Sequence, residues 1–131
     1  MEIINVIVAA IAAWAIGSVW YMKLAEPWME AARVPRGPDG QPEGGMNPKI
    51  FAASFVLQIV VAGMMRHMFE LSAIEGVGKG LIAGAGVGLF FISPWICINN
   101  LYAMRSFRLT LIDGGYATLA TAVMGLVLTL F

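Results

Sequence analysis

Four apolar stretches, each about twenty residues long, take up most of this chain, and they limit what it can fold into more than any other feature. A helix rises about 1.5 Å per residue, so roughly 20 residues cross the roughly 30 Å hydrocarbon core of a bilayer. The stretches run over about residues 3–24, 47–69, 79–102 and 109–131. With 60% of the 131 residues hydrophobic, 12% charged and a mean hydropathy of +0.81, little chain is left for a soluble domain beside them. The strict alternation of polar and apolar residues that a membrane barrel needs on every strand is absent. The expected fold is therefore all-α: a polytopic membrane protein with a single membrane domain, 1–131, whose four transmembrane helices form a compact bundle.

The first stretch is too long and too rich in Trp for a signal-peptide core, and it has neither a basic leader nor a small-residue cleavage site, so it is expected to stay in the mature protein. Asn47-Pro48 reads as a helix N-cap followed by proline at the first helical position. Orientation follows from the loop cations. Lys23, Arg33, Arg36, Lys49, Arg105 and Arg108 lie at one end of the bundle, against Arg66 and Lys79 at the other. Positive charge favours the cytoplasmic side, which places both termini outside the cytoplasm in a multi-pass protein of the cell inner (plasma) membrane. The acidic residues Glu26, Glu30, Asp39 and Glu43 neutralise the first loop, but they weigh little in that rule. A net charge of zero gives no reason to expect nucleic acid as a partner. The lone Cys97 lies within the third span, allows no intramolecular disulfide and reads as small apolar filler.

The one substantial loop covers about residues 31–46 and contains Pro-Arg-Gly-Pro-Asp-Gly-Gln-Pro-Glu-Gly-Gly. This composition buries too little surface to offset its ordering entropy, so the loop is expected to be mobile unless a partner holds it. Ahead of it, Ala25 to Arg33 suits either a short interfacial helix with the Trp28 indole at headgroup level or an ordinary loop with a Trp anchor.

Small residues mark where the helices approach one another. Gly80, Gly84 and Gly88 recur every fourth residue on the third span, with weaker stripes at Ala9, Ala13 and Gly17 on the first and Ala117, Thr121 and Gly125 on the fourth. Stripes of this kind let backbones come close, either within the bundle or across a homodimer. Packing within the bundle is the expected use, since four spans must first satisfy their own contacts. A shift of 75 positions also aligns Ala9, Ala13, Ser18 and Trp20 with Gly84, Gly88, Ser93 and Trp95, a short match that would suit parallel repeats.

Polar residues inside spans are where function shows most readily. Ser18 and Tyr21 on the first span, Trp95, Asn99 and Asn100 on the third, and Asp113 and Tyr116 on the fourth lie at similar depth in the cytoplasmic half. Ser18 with Tyr21, Asp113 with Tyr116, and Trp95 with Asn99 have spacings that put each pair on one helix face. Pro94 cannot donate to the Phe90 carbonyl and should kink the third span just before this group. Together the seven form a candidate polar pocket open to the cytoplasm, with Asp113 as its only acid. A structural reading competes with it. Thr110-x-x-Asp113 fits the spacing of a capping box, Asn99 and Asn100 suit interhelical hydrogen bonds, and Trp and Tyr belong in interfacial belts. Gln58, in the middle of the second span, suits an interhelical hydrogen bond, while Arg66 and His67 close that span where snorkelling is the default. A single His without ligand-spaced partners gives no metal site, and no cofactor is indicated.

Asn5, the Ala-rich run to Gly17, Trp20-Tyr21, Trp28-Met29, Pro94-Trp95, Asn99-Asn100, Arg105-Ser106, Ile112-Asp113-Gly114-Gly115-Tyr116 and Gly125 together resemble the small bacterial membrane proteins catalogued as domain of unknown function seventeen sixty-one. The resemblance implies a four-helix membrane protein and carries no activity. The chain departs from the family pattern between Tyr21 and Trp28, which looks shortened, and in the Pro/Gly-rich loop.

Three function classes follow. The leading one is a non-catalytic bundle acting by helix association with the lipid bilayer as its medium, as a homo-oligomer or as an accessory subunit of a larger membrane complex. The second is a small dimeric proton-linked solute transporter using Asp113 and the Asn pair, weakened by the lack of a charged residue near the middle of any span. An enzyme is disfavoured, because no nucleophile with a base, no acid pair and no metal-ligand spacing is present.

Overall fold

The computed structural model describes residues 2–42 and 47–131. Met1 and residues 43–46, which include Glu43 and the end of the loop read as mobile, lie outside the described residues. Helix α1 spans Glu2–Lys23, α2 Ala25–Ala32, α3 Pro48–Leu71, α4 Val77–Gly86, α5 Ser93–Tyr102 and α6 Phe107–Leu130, with a π-helical segment Val87–Ile92 joining α4 to α5. The fold is all-α. The only extended pairing among the described residues is an isolated bridge between Arg36 and Pro42. Four continuous helices, Ile3–Lys23, Pro48–Leu71, Val77–Tyr102 and Phe107–Leu130, are long and apolar enough to cross a membrane.

The helix starts follow their sequence signals. The Asn47 side chain accepts from the Lys49 N–H at 2.9 Å with Pro48 in the first turn, leaving one fewer orphan donor. At α6 the cap is Ser106, whose Oγ accepts from the Arg108 N–H at 3.1 Å. The capping box read at Thr110 and Asp113 is therefore not formed. Ser106 offers an earlier start, and Thr110 and Asp113 fall in the helix interior, where their side chains turn to α5 and α1. The segment Ala25–Ala32 is helical, closed by Arg33 in the left-handed region at φ 57°. Arg33 Nη2 then donates to the Met104 carbonyl at 2.8 Å, which ties the end of α2 to the α5–α6 connection. Beyond it the described part of the loop folds back on itself, with Gly37 N–H on the Gln41 carbonyl at 2.8 Å and Arg36 paired with Glu26 at 2.9 Å.

The consequence expected of Pro94 takes a definite form. The Ser93 N–H bonds to the Gly88 carbonyl five residues back, and the ladder stays wide over the turn that leads into the proline. A wider turn accommodates the missing donor and the bulk of the ring without breaking the span.

Helix α6 is the hub. Half of its most apolar window is buried, compared with 28% for α1 and 11% for each of the other two long spans. It packs against α4, the π-helical segment and α5 along one side, against α1 along another, and against α2 near its start, while α3 joins the bundle mainly through α1. Ala9, Ala13, Ala62, Met65, Phe69, Ala120, Met124, Val127 and Leu128 form the core where α1, α3 and α6 meet. Along the α4–α6 seam the backbones nearly touch. A Cβ at Gly84 would overlap the Thr121 carbonyl oxygen, one at Gly80 would meet Thr129 and the Gly125 carbonyl, and one at Gly88 would meet Ala117, Thr118 and Thr121. The two small-residue stripes thus face each other within one chain, and the glycine face offers no seam to a second copy.

Candidate functional site

The α1–α6 seam carries the polar side chains that sequence spacing singled out most clearly. Tyr21, two residues before the end of α1, donates its phenolic proton to Asp113 Oδ1 at 2.6 Å. Beside it the Trp20 Nε1–H donates to the Ile112 carbonyl at 3.0 Å, and Gly115 leaves room for the indole, since a Cβ there would stand 3.1 Å from its Cζ2. The Tyr21 ring stands edge-on between Trp28 of α2 and Tyr116 of α6, with centroid separations of 5.8 and 5.5 Å. Tyr116 continues the line into the middle of the bundle. Its hydroxyl donates to the Ala13 carbonyl at 2.7 Å and accepts from Gln58 Nε2 at 2.7 Å, so α1, α3 and α6 are bolted at one point. The phenol fits only because residue 17 is glycine: a Cβ there would lie 2.6 Å from Tyr116 Oη.

Three of the seven predicted pocket residues, Tyr21, Asp113 and Tyr116, come together. Asn100 belongs to a different contact, its Nδ2 donating to Thr110 Oγ1 at 2.9 Å between α5 and α6. Ser18 is exposed and bonds back to the Trp14 carbonyl of its own helix at 3.3 Å. Trp95, 66% exposed, and Asn99 face outward. A single pocket of seven is not formed: Ser18 lies on the exposed face of α1, and the π-helical segment sets the phase of α5, which carries Trp95, Asn99 and Asn100. Each residue turns a helix by roughly 100°, so one widened turn decides which face of α5 meets α6.

Several contributors carried weaker signals. Gln58, read as an interhelical bond, reaches Tyr116, and Ser93 Oγ donates to the Gly114 carbonyl at 3.0 Å. Asn5, 1% exposed, donates to the Phe131 carbonyl at 2.9 Å while its Oδ1 has no partner among the described residues. Tyr and Trp flanking a span look like belt residues whether or not they point inward, so only the glycines opposite Trp20 and Tyr116 hinted at their inward placement.

Chemically, the seam offers one carboxylate held by one phenol. Among the described residues no cation pairs with Asp113, whereas Glu26, Glu30 and Glu70 each face an arginine. No group of three His, Cys, Asp or Glu side chains converges on a metal position among the described residues.

Neither a curated protein nor a solved structure matches the chain. The family model described as Protein of unknown function (DUF1761) matches residues 4–129. That match takes in the four long helices apart from their outermost residues Ile3 and Leu130, together with the Tyr21–Asp113 pair and the glycine seam, and the chain belongs to the DUF1761 family.

Proposed function

We propose that this chain is a non-catalytic integral protein of the bacterial inner membrane that acts by helix association, as a homo-oligomer or as an accessory subunit of a larger membrane complex. Its loop-bearing end, with Lys23, Arg33, Arg36, Lys49, Arg105 and Arg108, faces the cytoplasm. One observation carries the reading: Tyr21, Asp113, Gln58, Tyr116, Asn100 and Thr110 spend their polar side chains on interhelical bonds, while α3 and the Val77–Tyr102 span keep almost nine-tenths of their apolar windows unburied. Those outward faces are the surface through which such a protein meets other helices. Native mass spectrometry of the untagged protein, released from its own membrane in minimal detergent, tests this. Species heavier than one chain, homomeric or heteromeric, are expected. Bare monomers from membranes that retain their other complexes would overturn it.

The Tyr21–Asp113 pair favours a second reading, a small dimeric proton-linked transporter, because an acid inside a span without a cationic partner is a candidate proton site. Asp113→Asn then abolishes pH-driven solute flux in proteoliposomes. Flux that survives the substitution removes this reading.

A further inference from the structure

Helix α1 does not run straight on into α2. Leu24 stands between them outside helical geometry, at φ −107° and ψ 20°, yet its N–H bonds to the Trp20 carbonyl at 3.0 Å and its own carbonyl accepts from the Trp28 N–H at 2.9 Å. One residue therefore carries the change of direction, and a change in its two dihedrals moves α2 as a unit. What α2 packs over is the donor to Asp113. Trp28 stands edge-on to the Tyr21 ring at 5.8 Å, while the Tyr21 hydroxyl holds Asp113 Oδ1. Met29 and Ala31, 2% and 5% exposed, seat the helix on the bundle.

The ties that hold α2 in place differ in kind from that seat. Glu26 and Glu30, four residues apart and so on one face, reach Arg36 at 2.9 Å and Arg108 at 3.8 Å, with the two acids 67% and 64% exposed. Arg33, just past the end of α2, donates to the Met104 carbonyl in an exposed contact. Exposed ion pairs are weak and are screened by salt. The apolar seat is small as well: two buried side chains and the edge of an indole. Away from the bundle α2 has a second resting place, because Trp28 and Met29 suit the headgroup region of a bilayer, where a short amphipathic helix lies flat. Leaving the bundle then exposes little apolar surface to water.

We infer that α2 is a hinged cover over the Tyr21–Asp113 pair: docked, it holds Trp28 against Tyr21 and keeps water from the carboxylate, and released to the membrane surface it opens the pair to water at the loop-bearing end. The inference concerns access to Asp113 and stands apart from both functional readings above. The two exposed ion pairs together favour the docked position by about fivefold, about 1 kcal/mol at about 1.4 kcal/mol per factor of ten.

The test is labelling of the full chain in micelles with a water-soluble carbodiimide and glycinamide, read residue by residue by peptide mass spectrometry. Glu75, exposed in the α3–α4 connection at the other end of the bundle, serves as the reference. At low salt Asp113 should label far more slowly than Glu75. The E26Q/E30Q double variant should raise the Asp113 rate about fivefold. Salt at about 1 M, which shortens the screening length to about 3 Å, should do the same to the parent chain and add nothing to the double variant. Trp28→Ala, which leaves the ionic ties in place, should also raise the rate. The salt series needs no substitution, so an opened cover is told apart from a misfolded variant. Asp113 labelling as fast as Glu75 in the parent chain, or a rate indifferent to salt, to E26Q/E30Q or to Trp28→Ala, would each overturn the proposal.

Discussion

Tyr21 Oη stands 2.6 Å from Asp113 Oδ1, which makes the last turn of α1 the donor to the one acid within the α6 span. A hydrogen bond to a charged group is worth about 1.5–3 kcal/mol in water-soluble proteins, while interhelical bonds in membranes average about 0.6 kcal/mol and reach about 1.7. The lone carboxylate puts this pair at the upper end of the membrane range. A double-mutant cycle of Tyr21→Phe and Asp113→Leu, followed by reversible unfolding in mixed micelles, should give a coupling energy of about 1–1.5 kcal/mol. Asp113→Asn keeps an acceptor for the phenol and should cost less than Tyr21→Phe, which leaves the carboxylate without its donor. A coupling near zero would show that the two side chains do not share the bond.

The α4–α6 seam makes opposite predictions for two glycines two residues apart. A Cβ at Gly84 overlaps the Thr121 carbonyl, whereas one at Gly86 meets nothing within 4 Å. Gly84→Ala therefore pushes backbones apart and should cost about 1–3 kcal/mol. Gly86→Ala should gain about 0.5–1 kcal/mol, the usual return for removing glycine from a helix interior. Because Gly84 packs within its own chain, its substitution should lower the unfolding midpoint of the isolated monomer. A midpoint that changes only when oligomers are present would place the stripe between chains.

The number, type and approximate ends of the spans were legible because bilayer thickness and caps such as Asn47-Pro48 act locally. The glycine seam was legible too, since Gly80, Gly84 and Gly88 can have little purpose other than backbone approach, and α6 supplies a matching stripe at Ala117, Thr121 and Gly125. The polar site was legible in part. Asp113 and Tyr116 lie on the uninterrupted α6, so their spacing fixed their shared face, whereas the same spacing did not bring Ser18 in with Tyr21, because Ser18 is exposed and bonds back to its own helix. Trp95 and Asn99 follow a π-helical turn whose position depends on how Pro94 is accommodated against α6, and spacing alone does not carry a face across it. The start of α6 slipped by two residues because Ser106 and Thr110 both offer cap chemistry, and the choice rests on the contact Thr110 makes with Asn100.

Gly17 and Tyr116 form a size-matched pair, with the phenol lying over the glycine and reaching the Ala13 carbonyl and Gln58 beyond it. Gly17→Ala places a methyl 2.6 Å from the hydroxyl and 2.8 Å from Cζ, so the ring must move and both hydrogen bonds lengthen. A loss of about 1–3 kcal/mol is expected. In a Tyr116→Phe background the same substitution should cost less, because the atom in closest overlap is gone, although the ring carbon still crowds the methyl. Equal costs in the two backgrounds would show that the phenol does not rest on residue 17.

Asn99 and Asn100 are neighbours in sequence and differ in what they hold. Asn100 spans α5 to α6 through Thr110, which is 8% exposed, while Asn99 faces outward with no side-chain partner among the described residues. Replacing Asn100 with Ala leaves a buried hydroxyl short of its donor and should cost about 1 kcal/mol. Asn99→Ala removes a polar group from an exposed helix face and should stay within about 0.5 kcal/mol of the parent. Unfolding midpoints of the two single variants, measured in the same micelles, decide the matter. If Asn99→Ala is the more damaging, α5 is rotated by about a residue relative to α6, and the π-helical turn at Val87–Ile92 does not hold its place.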